Sequence, residues 1–177
     1  MAEITYYFDD GEAQGIYSWD DWEYSFDNIL TNYAYTNVDG EWLGLVGNTC
    51  LGSDLGTISK VELRAYGYGD GGDQLNLRPI YDGNYGDDHL VTMPSSDDWS
   101  IYVDITTGTY MPDWSSWSHI QGLGSRIIFT KSAKANTMHC SKVEIRVTYE
   151  PSAEGIVIPI LSDKGIHSVI FGGQIIR

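Results

Sequence analysis

Positive charge is scarce in this chain of 177 residues: 10 Lys and Arg stand against 25 Asp and Glu, a formal net charge of −15. Affinity for nucleic acid is drawn from clustered Lys and Arg that neutralise phosphates. A nucleic-acid partner is therefore excluded. The shortage is local as well as global, since residues 1–59 contain no Lys or Arg. Cysteine is rarer still. Cys50 and Cys140 fit no zinc or redox spacing, and the sequence leaves open whether they are bridged or are two small core residues. No stretch approaches the roughly 20 apolar residues needed to cross a bilayer, so no membrane insertion is expected. Met1-Ala2-Glu3-Ile4 lacks the basic and apolar regions of a secretory leader.

What the chain has in quantity is turn residues and rings: 20 Gly, 13 Tyr and 6 Trp, with acidic positions that are mostly Asp. Asp and Gly favour turns over helix interiors, and aromatics favour strands. Period-two alternation marks the strands themselves. Val61, Leu63 and Ala65 share one face of a segment whose other face carries Lys60, Glu62, Arg64, Tyr66 and Tyr68. Val143, Ile145 and Val147 likewise alternate with Lys142, Glu144 and Arg146. Further strands are expected at 4–8, 33–38, 75–81, 89–93, 100–105 and 126–130. This predicts an all-β fold, a two-sheet antiparallel sandwich of jelly-roll type. One short helical segment is expected near 113–123, opened by Pro112 and closed by Gly124, with Trp117, Ile120 and Leu123 on its apolar stripe.

Ser59-Lys60-Val61-Glu62-Leu63-Arg64 recurs as Ser141-Lys142-Val143-Glu144-Ile145-Arg146. Two comparable strands explain it, with charges that discourage edge-to-edge pairing. The composition then changes. Residues 1–150 read as the sandwich domain and 151–177 as a linker followed by an apolar C-terminal arm or hairpin. That segment holds Ile156, Val157, Ile158, Ile160, Leu161, Ile166, Val169, Ile170, Phe171, Ile175 and Ile176. At about 1.5–3 kcal/mol of transfer free energy per fully buried large side chain, it must find cover. The cover is either a hairpin turning at Ser162-Asp163-Lys164-Gly165 on the same sandwich, or a neighbouring copy that the arm completes.

A catalytic set is not visible. His89, His119, His139 and His167 are scattered, no Gly-x-Ser-x-Gly elbow is present, and Asp87-Asp88 and Asp97-Asp98 read as turn residues rather than a glycosidase pair. No enzyme and no cofactor are expected. Structural calcium in a surface loop, at Gly67–Asp73 or from Asp82, is a minor alternative, because the twelfth position of an EF-hand loop starting at Asp82 is Met93. Exposed rings remain the candidates for recognition: Trp99, Trp114, Tyr66 and Tyr68 as stacking residues for a ligand such as a glycan.

The order Trp117-Ser118-His119-Ile120-Gln121-Gly122-Leu123, a strand at 126–130, and Ser141 through Tyr149 resembles β-sandwich structural proteins of tailed phages and related viruses, over about residues 58–150. The resemblance implies a non-enzymatic structural protein of a virus particle or extracellular fibre, such as a capsid decoration protein or head fibre. It implies location on a virion or extracellular surface, with other copies or a lattice as partners through the apolar arm. Two other readings stand beside it: a carbohydrate-binding module, and an extracellular filament subunit polymerising by donor-strand exchange.

Overall fold

A computed structural model describes residues 1–12, 19–132, 136–152, 156–162 and 165–171. Along the chain run β1 (Ala2–Glu12), a single 3-10 turn (Trp22–Ser25), β2 (Ala34–Thr36), β3 (Trp42–Asn48), β4 (Gly56–Tyr68), β5 (Gln74–Tyr81), β6 (Asn84–Tyr85), β7 (His89–Thr92), β8 (Asp98–Trp99) and β9 (Val103–Asp104). Helix α1 (Trp117–Gln121) follows, then β10 (Gly124–Thr130), β11 (Met138–Pro151), β12 (Ile156–Ser162) and β13 (Gly165–Phe171). The fold is an all-β antiparallel sandwich with one short helix, as the alternation predicts.

One layer orders β1–β11–β4–β8, with β2 on the start of β11 and β9 beside β4. The other orders β1–β3–β10–β5–β6, with β7 also on β5. Strand β1 belongs to both. Ala2 to Tyr7 pair with β11, and Phe8 to Glu12 pair with β3, so the chain turns the corner between layers at Phe8, which is fully buried. Inward positions of both layers meet in a single core that includes Leu43, Leu45, Val61, Leu63, Leu75, Leu77, Ile127, Phe129, Val143 and Ile145. Cys50 and Cys140 are both buried free thiols, and burial pushes the Cys140 thiol up to about 12.

The two similar hexapeptides are direct neighbours. Val61 lies opposite Val147, Leu63 opposite Ile145, Glu62 opposite Arg146 and Arg64 opposite Glu144. Antiparallel pairing of a Glu-x-Arg strand with its own likeness brings each Glu to the other's Arg. The alternating charges thus serve pairing within the sheet instead of protecting an edge.

Four local differences have physical causes. Strand β3 is not apparent from alternation because Gly44 and Gly47 interrupt Trp42-Leu43-Gly44-Leu45-Val46-Gly47-Asn48; its inward Leu43 and Leu45 are nevertheless fully buried. Segment 100–105 pairs only in pieces: its regular part is Val103–Asp104, and β8 precedes it. The helix is five residues long, because Trp114 takes a left-handed φ of 53° and Ser116 is extended as its N-cap. Gly122, not Gly124, closes it, and Gly124 already starts β10. Beyond the sandwich, β12 and β13 form a separate two-stranded sheet, Ile156 opposite Phe171 and Ser162 opposite Gly165. Ser162 and Gly165 are the last described pair; residues 163 and 164, like Ile175 and Ile176, lie outside the described residues.

Candidate ligand-binding face

The outer face of the β1–β11–β4–β8 layer collects the rings that the alternation points outward. Trp99 on β8 lies opposite Tyr66 on β4, and their rings meet edge to face at 5.1 Å. One step along β4, Tyr68 lies opposite His139, the two rings stacked at 4.2 Å and 9°. His139 is in turn opposite Tyr35 on β2, with centroids 5.9 Å apart, and Tyr33 meets the edge of Tyr68 at 5.5 Å. Tyr66, Tyr68, Trp99, Tyr33 and His139 are half-buried, and Tyr35 is exposed. All but Tyr33, which precedes β2, stand on hydrogen-bonded strands rather than a loop, which fixes their spacing.

Toward the other end of the face the rings give way to paired charges under an aromatic cover. The Arg64 guanidinium lies 3.9 Å from the Trp99 centroid and 4.3 Å from that of Tyr102, and donates to Glu144 at 2.7 Å. Arg146 lies 3.7 Å from the Tyr102 ring and donates to Glu62 at 2.7 and 2.8 Å. Lys60 reaches the other Glu62 oxygen at 2.7 Å. Glu62 and Glu144 are buried although they are outward positions, because Tyr102 and the arginines lie over them. From Glu62 to Tyr68 the face runs about 20 Å at strand rise.

Burial and a hydrogen bond with Asp97 push the Tyr33 phenol up to about 12. Burial also raises Tyr68 and lowers His139, against the pull of Asp97 and Asp70. At neutral pH Tyr33 and Tyr68 are therefore neutral rings. His139 is held in its neutral form, which suits face-to-face stacking. Together the rings make a largely uncharged, amphipathic strip.

Three of the four expected stacking residues, Tyr66, Tyr68 and Trp99, are brought together here. Trp114 is not. It is 3% exposed, donates its indole N–H to the Thr106 carbonyl at 2.8 Å, and lines a cavity of about 460 Å³ at the end of the sandwich with Trp117, Asp54 and Glu150. Its buried ring offers little face to a ligand in solvent. Sequence reasoning missed Tyr33, Tyr35, Tyr102 and His139. Tyr102 carries the alternation of 100–105, but the other three gain their role only from the pairing of β2 with β11.

The acidic pairs have local work. Arg78 grips Asp88 with two donors, one at 2.8 Å, Asp87 accepts the Thr109 N–H at 3.0 Å, and Asp98 accepts the Trp99 N–H at 2.7 Å. In the segment weighed for calcium, Asp73 is fully buried and its two carboxylate oxygens accept the N–H groups of Ser132 and Asp70. Among the described residues no three His, Cys, Asp or Glu converge as a metal site.

No family model matches the chain, and no curated protein matches it. Two solved structures share its general strand arrangement. The CBM36-1 domain of a multidomain xylanase from the hindgut metagenome of Trinervitermes trinervoides is 9% identical, with a TM-score of 0.43, covering 81% of this chain and 96% of that one. CBM35 from Cellvibrio japonicus Abf62 is 11% identical, with a TM-score of 0.39, covering 85% and 100%. At these scores neither likeness bears on what the face binds.

Proposed function

We propose that the chain is a non-catalytic glycan-binding β-sandwich that holds an extended, uncharged saccharide against Trp99, Tyr66 and Tyr68. The observation that carries this reading is the contact of Trp99 with Tyr66, continued one step along β4 by the Tyr68–His139 stack. Half-exposed rings on a rigid sheet pack on the apolar faces of sugars, and the adjoining Arg64 and Arg146, partly exposed, offer donors for hydroxyl groups. Each aromatic contact is worth about 0.5–1.5 kcal/mol beyond the area it buries. Affinity from so few rings is accordingly modest and sensitive to any one of them. A glycan array followed by affinity electrophoresis tests the reading: saturable binding to a neutral polysaccharide, weakened about tenfold or more by Trp99→Ala or Tyr66→Ala, is expected. Each variant must keep the wild-type melting temperature within a few degrees to count. Absence of saturable binding across the array, or binding indifferent to both substitutions, would sink it.

A second reading, self-association into a larger particle or fibre, is supported by the separate β12–β13 sheet and the apolar sequence of its strands. Isolated two-stranded hairpins are marginal in water. Light scattering on the full chain and on a chain ending at Ser152 tests it. A fall in mass to the monomer is expected on truncation, and an unchanged mass removes the hairpin from any assembly role.

A further inference from the structure

The opposite outer face, on the β3–β10–β5 side, holds an arginine in an unusual state. Arg126 on β10 lies opposite Arg78 on β5 and Gly44 on β3. Its guanidinium carbon is 3.5 Å from the Trp42 ring centroid and 4.3 Å from that of Tyr85, and one terminal nitrogen donates to the Tyr85 hydroxyl. Its Nε is buried without an acceptor. Among the described residues Arg64, Arg78 and Arg146 each hold a carboxylate, whereas Arg126 is within ion-pair distance of none. Burial and the like charge of Arg78 both press its pKa down. In a chain with 25 acidic residues, a cation clasped by rings and without a counter-ion among the described residues is costly unless something compensates it.

The rings determine how compensation can arrive. They cover the plane of the guanidinium, so an acceptor must come in at its edge, toward the terminal nitrogen that Tyr85 does not engage. The geometry is that of in-plane N–H···O donation to a carboxylate. A single positive charge with no carboxylate partner among the described residues, in a strongly negative molecule, matches a monoanion better than a dianion such as phosphate. We propose that Arg126, framed by Trp42 and Tyr85, is a binding site for a ligand carboxylate, separate from the Trp99 face. The net negative field opposes approach from afar, but it is screened beyond about 8 Å at physiological ionic strength.

The test is a heteronuclear NMR titration of the full chain at physiological ionic strength, following the Arg126 Nε–H and the Trp42 indole N–H. The probes are glucuronate, acetate and glucose. Saturable shifts with glucuronate and none with glucose are expected, with affinity falling tenfold or more in Arg126→Gln. Equal shifts with acetate would identify the carboxylate alone as the ligand group, and weaker shifts with acetate would add the sugar ring; both uphold the site. Trp99→Ala is expected to leave this binding unchanged, so failure of the glycan reading and failure of this one are distinguishable. Shifts absent with every carboxylate, or retained in Arg126→Gln, overturn the proposal.

Discussion

His139 sets a pH dependence that can be read directly. Burial depresses its pKa below the ordinary value of 6.5, so the unfolded chain takes up a proton at this site before the folded chain does. Its contribution to stability is fully present above pH 6.5 and is lost as pH falls through the lower, folded value. Urea midpoints are expected to drop between pH 7.5 and pH 5.5, and His139→Gln is expected to flatten part of that drop. An identical slope in the variant would show that His139 is not held neutral. At this scale the sequence was partly legible. Outward alternation on β4 pointed to Tyr66 and Tyr68, and Trp99 joined them because β8 lies beside β4. Trp114 was misleading because a left-handed turn sends it inward, a conformation that residue type alone does not announce. His139 was one of four scattered histidines until a bulge near Cys140 and the pairing with Tyr68 gave it a neighbour.

At the scale of elements, the pairing of β4 with β11 is specified by charge as well as by apolar alternation. In the observed register Glu62 meets Arg146 and Arg64 meets Glu144. A slip of two residues in one direction would set Glu62 against Glu144 and Lys60 against Arg146, and in the other Arg64 against Arg146. Slipped registers keep the apolar face inward, so hydrophobicity alone does not reject them; like-charge contacts do. A double-mutant cycle on Glu62→Gln and Arg146→Gln is expected to give a coupling of about 1–3 kcal/mol in denaturant unfolding, because the Glu62 carboxylate is almost wholly covered. A coupling near zero would mean that solvent already screens the pair. These two strands were the most readable part of the sequence, each showing a clean period of two. Strand β3 was the least readable, since glycine supplies neither an apolar nor a polar signal. The helix was recognised by its stripe but shortened by backbone geometry around Trp114 and Ser116.

At the scale of the molecule, the two broad faces differ in chemistry. One carries rings beside balanced ion pairs, and the other carries an arginine that, among the described residues, has no carboxylate partner and lies between two rings. An all-β sandwich could be read from composition and alternation, but not which rings would meet, because that depends on strand order across more than a hundred residues of chain. The same strand order makes β1 decisive. Deleting residues 1–7 would strip the ladder from β11 and bare a long strand edge, so aggregation at micromolar concentration is expected by turbidity. A truncated chain that stays monodisperse would show that β11 tolerates an open flank.

Because the first strand is stitched into both layers, the two cannot part without it. A tether pulling on Met1 would have to shear six rungs against β11 before the load reached the Phe8 corner and the second layer. That end is thus a sturdy anchorage, one from which the molecule could hang under drag while both broad faces stayed in shape.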